Sequence, residues 1–292
     1  MQRPFSADSA WNKPIDQDVH RFSDPTAIEN LQFHDPSLAN PWVQNEDLLV
    51  ETPANAPLAT WNFDVLNDGG TFSLTGTVDL PTPTNLVITH GGDGWAIFTD
   101  PDGVHFWETW GAAYNAASGT YSVGYLVKGD LTGTGWGLNG VGAGIRAAGA
   151  SLLGGLILPE ELDNLSIEHA LPIELDHAQL KAGTVQTDQF IAPAVSADAD
   201  SIAMYGGTIP MGAHFALRPD LDISQAGLTP EGQALAKAYQ NYGGYVVDAA
   251  GFTTSRHGYR GDSAADQQPA YRCRLDTQQS RDDPSCGRDS DV

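Results

Sequence analysis

The sequence predicts an all-β protein, a β-sandwich of jelly-roll type with one packed helix. Three observations support this fold class. The 292 residues include 32 glycines and 18 prolines, which mark a chain rich in turns. Charged residues make up 17% of the chain, against about 25% in an average soluble domain, which argues against coiled coils, helical bundles and disorder. Short segments with strand patterning recur between turn residues along most of the chain.

We predict one large domain with two appendages. A prior of about 150 residues per domain allows two domains, but β-sandwiches often reach about 200–250 residues as one unit. Residues 1–60 are expected to form an irregular N-terminal wrap, because prolines interrupt them repeatedly. Residues 61–257 are the predicted β-sandwich core, including a helix at 230–242, and residues 258–292 are a polar C-terminal tail.

The elements of the first half follow from turn residues and strand patterning. A short helix is predicted from Pro25 to about residue 31, with Ser23 or Asp24 as its cap. The segment Asp100-Pro101-Asp102-Gly103 has the turn chemistry of a hairpin. Predicted strands cover residues 71–79, 85–90, 95–99, 104–110 and 120–127.

The second half opens with a Gly/Ala-rich passage, residues 133–155, whose glycines favour a wrapped loop over a regular element. A helix is predicted at 230–242, because Thr229 can cap it, Pro230 suits its first turn and Gly243 ends it. Further strands are predicted at residues 167–174, 189–192, 211–217 and 245–248.

Charge and hydropathy limit the partners. Thirty-seven acidic and 14 basic residues give a formal net charge of -23, and such a surface repels phosphate backbones, so we expect no nucleic-acid binding. No apolar run approaches the roughly 20 residues of a membrane span. The N-terminus also lacks the apolar stretch of a signal peptide. The oligomeric state stays open.

The two cysteines, Cys273 and Cys286, both lie near the end of the chain. If they pair, the disulfide closes a small loop and contributes about 3 kcal/mol in the chain-entropy model. A disulfide fits an oxidising exterior. The alternative is two free thiols in the tail.

Several stretches resemble one group of proteins. They are PFSADSAWN at residues 4–12, GASLLGGLILPEEL at 149–162, IEHAL at 167–171, PMGAHFAL at 210–217 and YGGYVVDAAG at 242–251. In this order they resemble secreted bacterial β-sandwich proteins, frequent in soil actinobacteria and mostly without an assigned activity. The resemblance implies an extracellular, carbohydrate-directed protein and supplies no catalytic residues.

The run from His90 to Trp95 is the first candidate site. Two glycines before Asp93 let the backbone turn sharply and present His90 and Asp93 at the edge of a sandwich. A histidine and a carboxylate there could share a proton or bind a metal. The alternative is a polar turn in which Asp93 accepts hydrogen bonds from neighbouring amides.

The predicted strand 104–110 is the second candidate. Its alternation places Glu108 on one face between Phe106 and Trp110. Aromatic surroundings raise the pKa of a carboxyl, which suits a general acid, and aromatic rings can stack on sugar faces. The alternative is an exposed Glu108 with the aromatics in the core. The predicted sugar-stacking residues are Trp95, Trp107, Trp110 and Tyr114.

A third candidate spans residues 168–177. His169 is a candidate acid–base residue, and Glu174 or Glu168 is the candidate second carboxylate of a glycosidase pair. The alternative is a hydrogen-bonded core histidine. Calcium is the one metal ion we consider, bound by the carboxylate oxygens of acidic residues two positions apart. Motifs for zinc binding, phosphate loops and serine hydrolases are missing from the sequence. These acids are Asp198, Asp200, Asp220 and Asp222.

The function these patterns favour is an extracellular polysaccharide-degrading enzyme. A glycoside hydrolase needs two carboxylates and aromatic platforms. A lyase acting on uronic acids would need cations or metal help, and residues 1–255 hold only eight of the 14 bases. The alternatives are a non-catalytic glycan-binding protein and a structural or host-recognition protein of a virus particle.

Overall fold

We describe a computed structural model of the chain, in which residues 3–16, 49–69, 72–88, 93–137 and 144–250 are described. The large sheet is built from β1 (Leu49–Val50), β2 (Leu58–Asn67), β3 (Phe72–Pro81), β4 (Ala96–Thr99), β5 (His105–Trp110), β6 (Ala113–Asn115) and β7 (Thr120–Asp130). The second half contains α1 (Pro159–Asp163), β8 (Leu171–Asp176), α2 (Ser201–Met204), β9 (His214–Phe215), α3 (Pro230–Asn241) and β10 (Gly244–Ala250).

The described residues form two open sheets and few helices, which confirms the all-β class. The large sheet has the order β1-β4-β5-β7-β2-β3, and β6 pairs with β7. Within it, β1 is parallel to β4 and β2 is parallel to β7, while the other neighbours are antiparallel. The small sheet has the order β8-β10-β9, with β8 parallel to β10.

The large sheet bends along one row of residues, which we call the fold line: Gly111, Gly124, Asp64 and Thr75. The ladders have paired positions on either side of this row, but none of these residues has a partner across to the next strand in the register. On β2 the buried positions are Trp61 and Phe63 before the row and Leu66 after it, so the alternation shifts by one residue. On β7 the buried positions shift in the same way, from Val123 to Leu126.

The large sheet also curls from strand to strand, and this curvature encloses an apolar cluster. Trp61 of β2 stacks on Phe98 of β4 with ring centroids 5.5 Å apart. In a flat sheet β5 and β7 would separate them by about 14 Å, three strand spacings. The sheet therefore curves over its own side chains, among them Trp61, Phe98, Trp107 and Leu126.

A second cluster lies between the large sheet and the rest of the chain. It joins Phe106 and Val127 of the large sheet to Leu152 of the Gly/Ala-rich passage and Val246 of the small sheet. A smaller cluster packs α3 through Ala238 against Ile167 and Leu171. The central strands of the large sheet are consequently buried on both faces.

Several predicted elements are confirmed within about two residues, but others differ. The strand predicted at 167–174 begins only at Leu171, and the one predicted at 211–217 covers only His214–Phe215. The hairpin at residues 100–103, the helix α3 and the strand at 245–248 are confirmed. The predicted strand at 85–90 is wrong for residues 85–88, which follow a turn closed by the Leu86 amide and the Pro83 carbonyl. Only isolated bridges occur over 189–192. The predicted helix at 25–31 lies outside the described residues.

Five elements were not predicted from the sequence. The strand β1 lies inside the segment predicted as irregular, and β2 begins there at Leu58. The others are β6, α1 and α2. In the described part of the chain, no helix has the length and apolar character needed to cross a membrane. Cys273 and Cys286 lie outside the described residues, so their disulfide remains a prediction.

Candidate functional site

Glu108 is completely buried, which corrects its expected role as a surface proton donor. One carboxylate oxygen accepts hydrogen bonds from the Ser151 hydroxyl and from the Leu152 amide at 2.8 Å. The other accepts from the Ile145 amide at 3.3 Å. The side chain has no exposed surface, so a bound glycan cannot reach it. Through these hydrogen bonds Glu108 instead holds the Gly/Ala-rich passage against β5.

The four predicted aromatic platforms divide into two pairs. Trp107 is buried in the core, and its indole N–H donates a hydrogen bond to Asp100 at 3.4 Å. Trp95 packs against the second cluster. Trp110 and Tyr114 remain 46% and 54% exposed and are available for stacking. Trp107 and Trp95 are therefore core residues rather than sugar platforms.

Asp93 lies beside one exposed platform. Its carboxylate accepts a hydrogen bond from the Trp110 indole at 3.3 Å, and its carbonyl accepts from the Gly111 amide. The expected proton-sharing partner, His90, lies outside the described residues. The observed role of Asp93 is to orient Trp110.

His169 is buried, as expected for a hydrogen-bonded core histidine. Its Nε2 lies 3.0 Å from Glu161 Oε2 and its Nδ1 lies 2.9 Å from the Ala170 carbonyl. Burial raises the pKa of Glu161, but the hydrogen bond and charge of His169 outweigh it and hold the pKa below its usual value. Glu168 forms an exposed ion pair with Arg3 at 2.9 Å. Neither His169 nor Glu168 shares a contact with Glu174.

Glu174 belongs to a different group of side chains, which we call the acid cluster: Arg146, Glu174, His177, Asp198, Tyr205 and Asp248. The core of this group is a cross-strand pair in the small sheet. Glu174 of β8 is the register partner of Asp248 of β10. The register shifts between Val246 and Asp248, and such bulges re-aim side chains next to functional sites. Both residues are partly exposed, although the Asp248 carboxyl itself is buried.

Arg146 joins the cluster from the Gly/Ala-rich passage. Its Nη1 lies 2.6 Å from Glu174 Oε1, and its side chain is only 5% exposed. The adjacent Ala147 amide donates to Asp248 at 3.5 Å, and the Ala148 amide donates to the Val247 carbonyl at 3.0 Å. The passage held by Glu108 thus positions the cation that pairs with Glu174.

The two paired carboxyls differ in their surroundings. Burial and the nearby Asp198 carboxylate raise the pKa of Asp248 to about 8; Arg146 opposes this shift and Glu174 adds to it. The guanidinium of Arg146 pairs directly with Glu174. The cluster therefore presents a carboxyl group with a raised pKa beside a carboxyl group that is bound to a cation.

Asp198 and Tyr205 complete the cluster. The Tyr205 hydroxyl donates a hydrogen bond to Asp198 Oδ2. Burial raises the pKa of Asp198 and Asp200 adds to the rise, while Tyr205 and His177 oppose it. Burial and Asp198 raise the pKa of Tyr205. The His177 ring lies 5.9 Å from the Tyr205 ring.

The proposed calcium ligands do not assemble among the described residues. Asp220 pairs with Arg218, and Asp222 caps a short turn by accepting from Ser224. No group of three or more metal-ligating side chains occurs in the ranges described above.

The sequence analysis named Glu174 and Asp198, but it missed Arg146, Tyr205 and Asp248 as site residues. The one sequence signal for Asp248 is that an acidic residue stands directly after the apolar run of β10. Comparison of the chain with family models, characterised proteins and solved structures gives no match.

Proposed function

We propose that the chain is an extracellular glycoside hydrolase whose catalytic pair is Asp248 and Glu174. The observation that carries this proposal is their position as register partners on adjacent strands, with Arg146 bound to only one of them. Two carboxyl groups in opposite protonation states are what glycoside hydrolysis requires. The β-sandwich expected for such a protein is part of the proposal and is supported by the apolar cluster inside the bent sheet.

Each carboxyl has a defined part in the reaction. The protonated Asp248 donates its proton to the glycosidic oxygen as that bond breaks, and the leaving sugar departs as an alcohol. The Glu174 carboxylate attacks the anomeric carbon and forms a glycosyl ester. Asp248, now ionised, takes a proton from a water that hydrolyses this ester, which restores both groups.

The spacing favours retention of the anomeric configuration. The backbones of neighbouring strands lie about 4.8 Å apart, so the side chains of register partners start from a short separation. Retaining glycosidases hold their two carboxyl groups about 5–5.5 Å apart, whereas inverting enzymes need about 6.5–9.5 Å to admit a water. We therefore expect the first product to have the configuration of the substrate.

The charges favour a neutral substrate over a uronic-acid polymer. The Arg146 guanidinium is already paired with Glu174. The Asp198 carboxyl lies close to Asp248, and the described residues of the cluster leave no free arginine or lysine to offset the charge of a uronate. Hydrolysis of a neutral glycan therefore fits the cluster better than lyase chemistry does.

The test is release of reducing ends from a panel of neutral polysaccharides. Asp248→Asn and Glu174→Gln should each lower turnover by about 10²- to 10⁴-fold, the usual effect of losing such a group. Glu160→Gln, an exposed acid on α1, is the matched control and should keep wild-type turnover. Equal turnover by Asp248→Asn and wild type, or wild-type protein that cleaves none of the panel, would contradict the proposal.

A non-catalytic glycan-binding protein is the second candidate. The observation that favours it is the pair of exposed aromatics, Trp110 and Tyr114, on the large sheet. This candidate predicts retention of a polysaccharide without release of reducing ends, and equal binding by wild type and Asp248→Asn.

A further inference from the structure

We propose that the outer face of the large sheet carries a second, non-catalytic site, a groove along the fold line that binds a neutral oligosaccharide. The groove has a volume of about 520 Å³, within the range of roughly 300–1,000 Å³ that small-molecule sites occupy. It crosses β3, β2 and β7, and its residues are separate from the acid cluster. Its polar lining is Asn62, Asp64, Thr75, Thr77 and Ser122.

The groove is a consequence of the bend. Gly111 and Gly124 lie in the fold line. A Cβ added to Gly111 would lie 3.3 Å from the Gly124 amide nitrogen. Two backbones therefore approach each other where no side chain fills the space. Thr75, on the same row, has a φ of 44°. A β-branched residue in this left-handed region is uncommon and strained, and such strain is found mainly at functional positions.

One side of the groove is polar. Thr77, Asn62 and Ser122 are register neighbours on β3, β2 and β7, and all three are exposed. The Asn62 amide donates to the Tyr121 carbonyl at 2.8 Å, which fixes the direction of its side chain. Within the described part of the chain, no partner is found for the side chains of Asp64 and Ser122, so both can bind a ligand.

The sheet surface beside the groove, beyond the fold line, is apolar. The next register row after the fold line is Trp110, Tyr125, Val65 and Leu74, on four adjacent strands. Trp110 and Leu74 are 46% and 71% exposed. A Cβ on Gly124 would lie 3.1 Å from the Trp110 ring, so this indole covers the glycine at the edge of the groove.

These two sides match the two sides of a sugar ring. Pyranose rings present hydroxyl groups at their edges and C–H bonds on their faces, so amide, hydroxyl and carboxylate groups opposite an aromatic surface suit them. The lining has one carboxylate, Asp64, and no lysine, arginine or histidine. An anionic ligand would meet repulsion and no compensating cation, so the occupant is a neutral oligosaccharide.

The test is affinity electrophoresis in native gels that contain a neutral polysaccharide, with an anionic polysaccharide gel for comparison. Ser122→Trp fills the groove and Trp110→Ala removes the indole beside Gly124 at its edge, so each should reduce retardation at least 10-fold. Asp64→Asn changes one exposed group without changing its volume and should reduce retardation even if the tryptophan variant is unstable. Glu160→Gln, which removes an exposed acid elsewhere, should be retarded like wild type.

The same gels separate this proposal from the hydrolase. Asp248→Asn should be retarded like wild type although its turnover is lowered, because Asp248 lies outside the groove. Wild-type retardation of Ser122→Trp, Trp110→Ala and Asp64→Asn would overturn the groove, as would retardation by the anionic polysaccharide alone. Neither of these results bears on cleavage by Asp248 and Glu174.

Discussion

Replacing Glu108 by glutamine separates a structural carboxylate from a catalytic one. The glutamine is nearly isosteric, but one of its two terminal groups becomes a donor. If the retained oxygen faces Ser151 and Leu152, the new amide group faces the Ile145 N–H, which then has no acceptor. A buried donor without an acceptor costs about 1–3 kcal/mol. The two remaining bonds also lose the assistance of a charge, about 1 kcal/mol each.

We therefore expect Glu108→Gln to lower the free energy of unfolding by about 3–5 kcal/mol. For a chain of this size that corresponds to a fall of about 6–20 °C in Tm. Urea denaturation monitored by tryptophan fluorescence measures the change, and the exposed Glu160→Gln should stay within about 0.5 kcal/mol of wild type. A loss below about 1 kcal/mol together with a 10²-fold or greater loss of turnover would refute the reasoning and restore Glu108 as an acid.

Two further predictions concern packing and pH. Gly129→Ala places a Cβ 2.1 Å from the Phe106 ring and should lower the free energy of unfolding, measured by urea denaturation, by about 1–3 kcal/mol. The control is Gly206→Ala, whose added Cβ has its nearest atom 3.9 Å away and should change that free energy by less than about 0.5 kcal/mol. Equal stabilities of the two variants would contradict the packing of Gly129 against Phe106. The pKa of Glu161 is lowered in the folded state beside His169, so its stabilisation is present above the usual value of 4.5 and is lost as pH falls through the folded pKa. Glu161→Gln should therefore be less stable than wild type at pH 7, with the difference closing below pH 4.5, and a difference that does not change with pH would argue against the ion pair.

The elements that the sequence predicts well are those with local causes. The turn residues Asp100–Gly103 specify the β4–β5 hairpin within four positions, and Thr229, Pro230 and Gly243 mark the ends of α3. In each case the residues that determine the structure are adjacent in the chain. Such signals can be recognised without knowledge of the tertiary fold.

The elements that it predicts poorly depend on distant neighbours. Alternation along β5 indicates that Glu108 shares a face with Phe106, but not that residues 145–152 cover that face. The pairing of Glu174 with Asp248 joins strands separated by 68 residues or more in sequence and depends on a bulge. The register shift along the fold line likewise conceals the alternation of β2.

A carbon-13 NMR titration of the aspartate carboxyl groups tests most directly whether Asp248 is the protonated member of the catalytic pair. The signal that disappears in Asp248→Asn identifies the residue. Our account predicts that this carboxyl titrates with a pKa near 8 and therefore carries its proton at neutral pH. A midpoint near the usual aspartate value of about 3.9 would leave the cluster without an acid and would contradict the account.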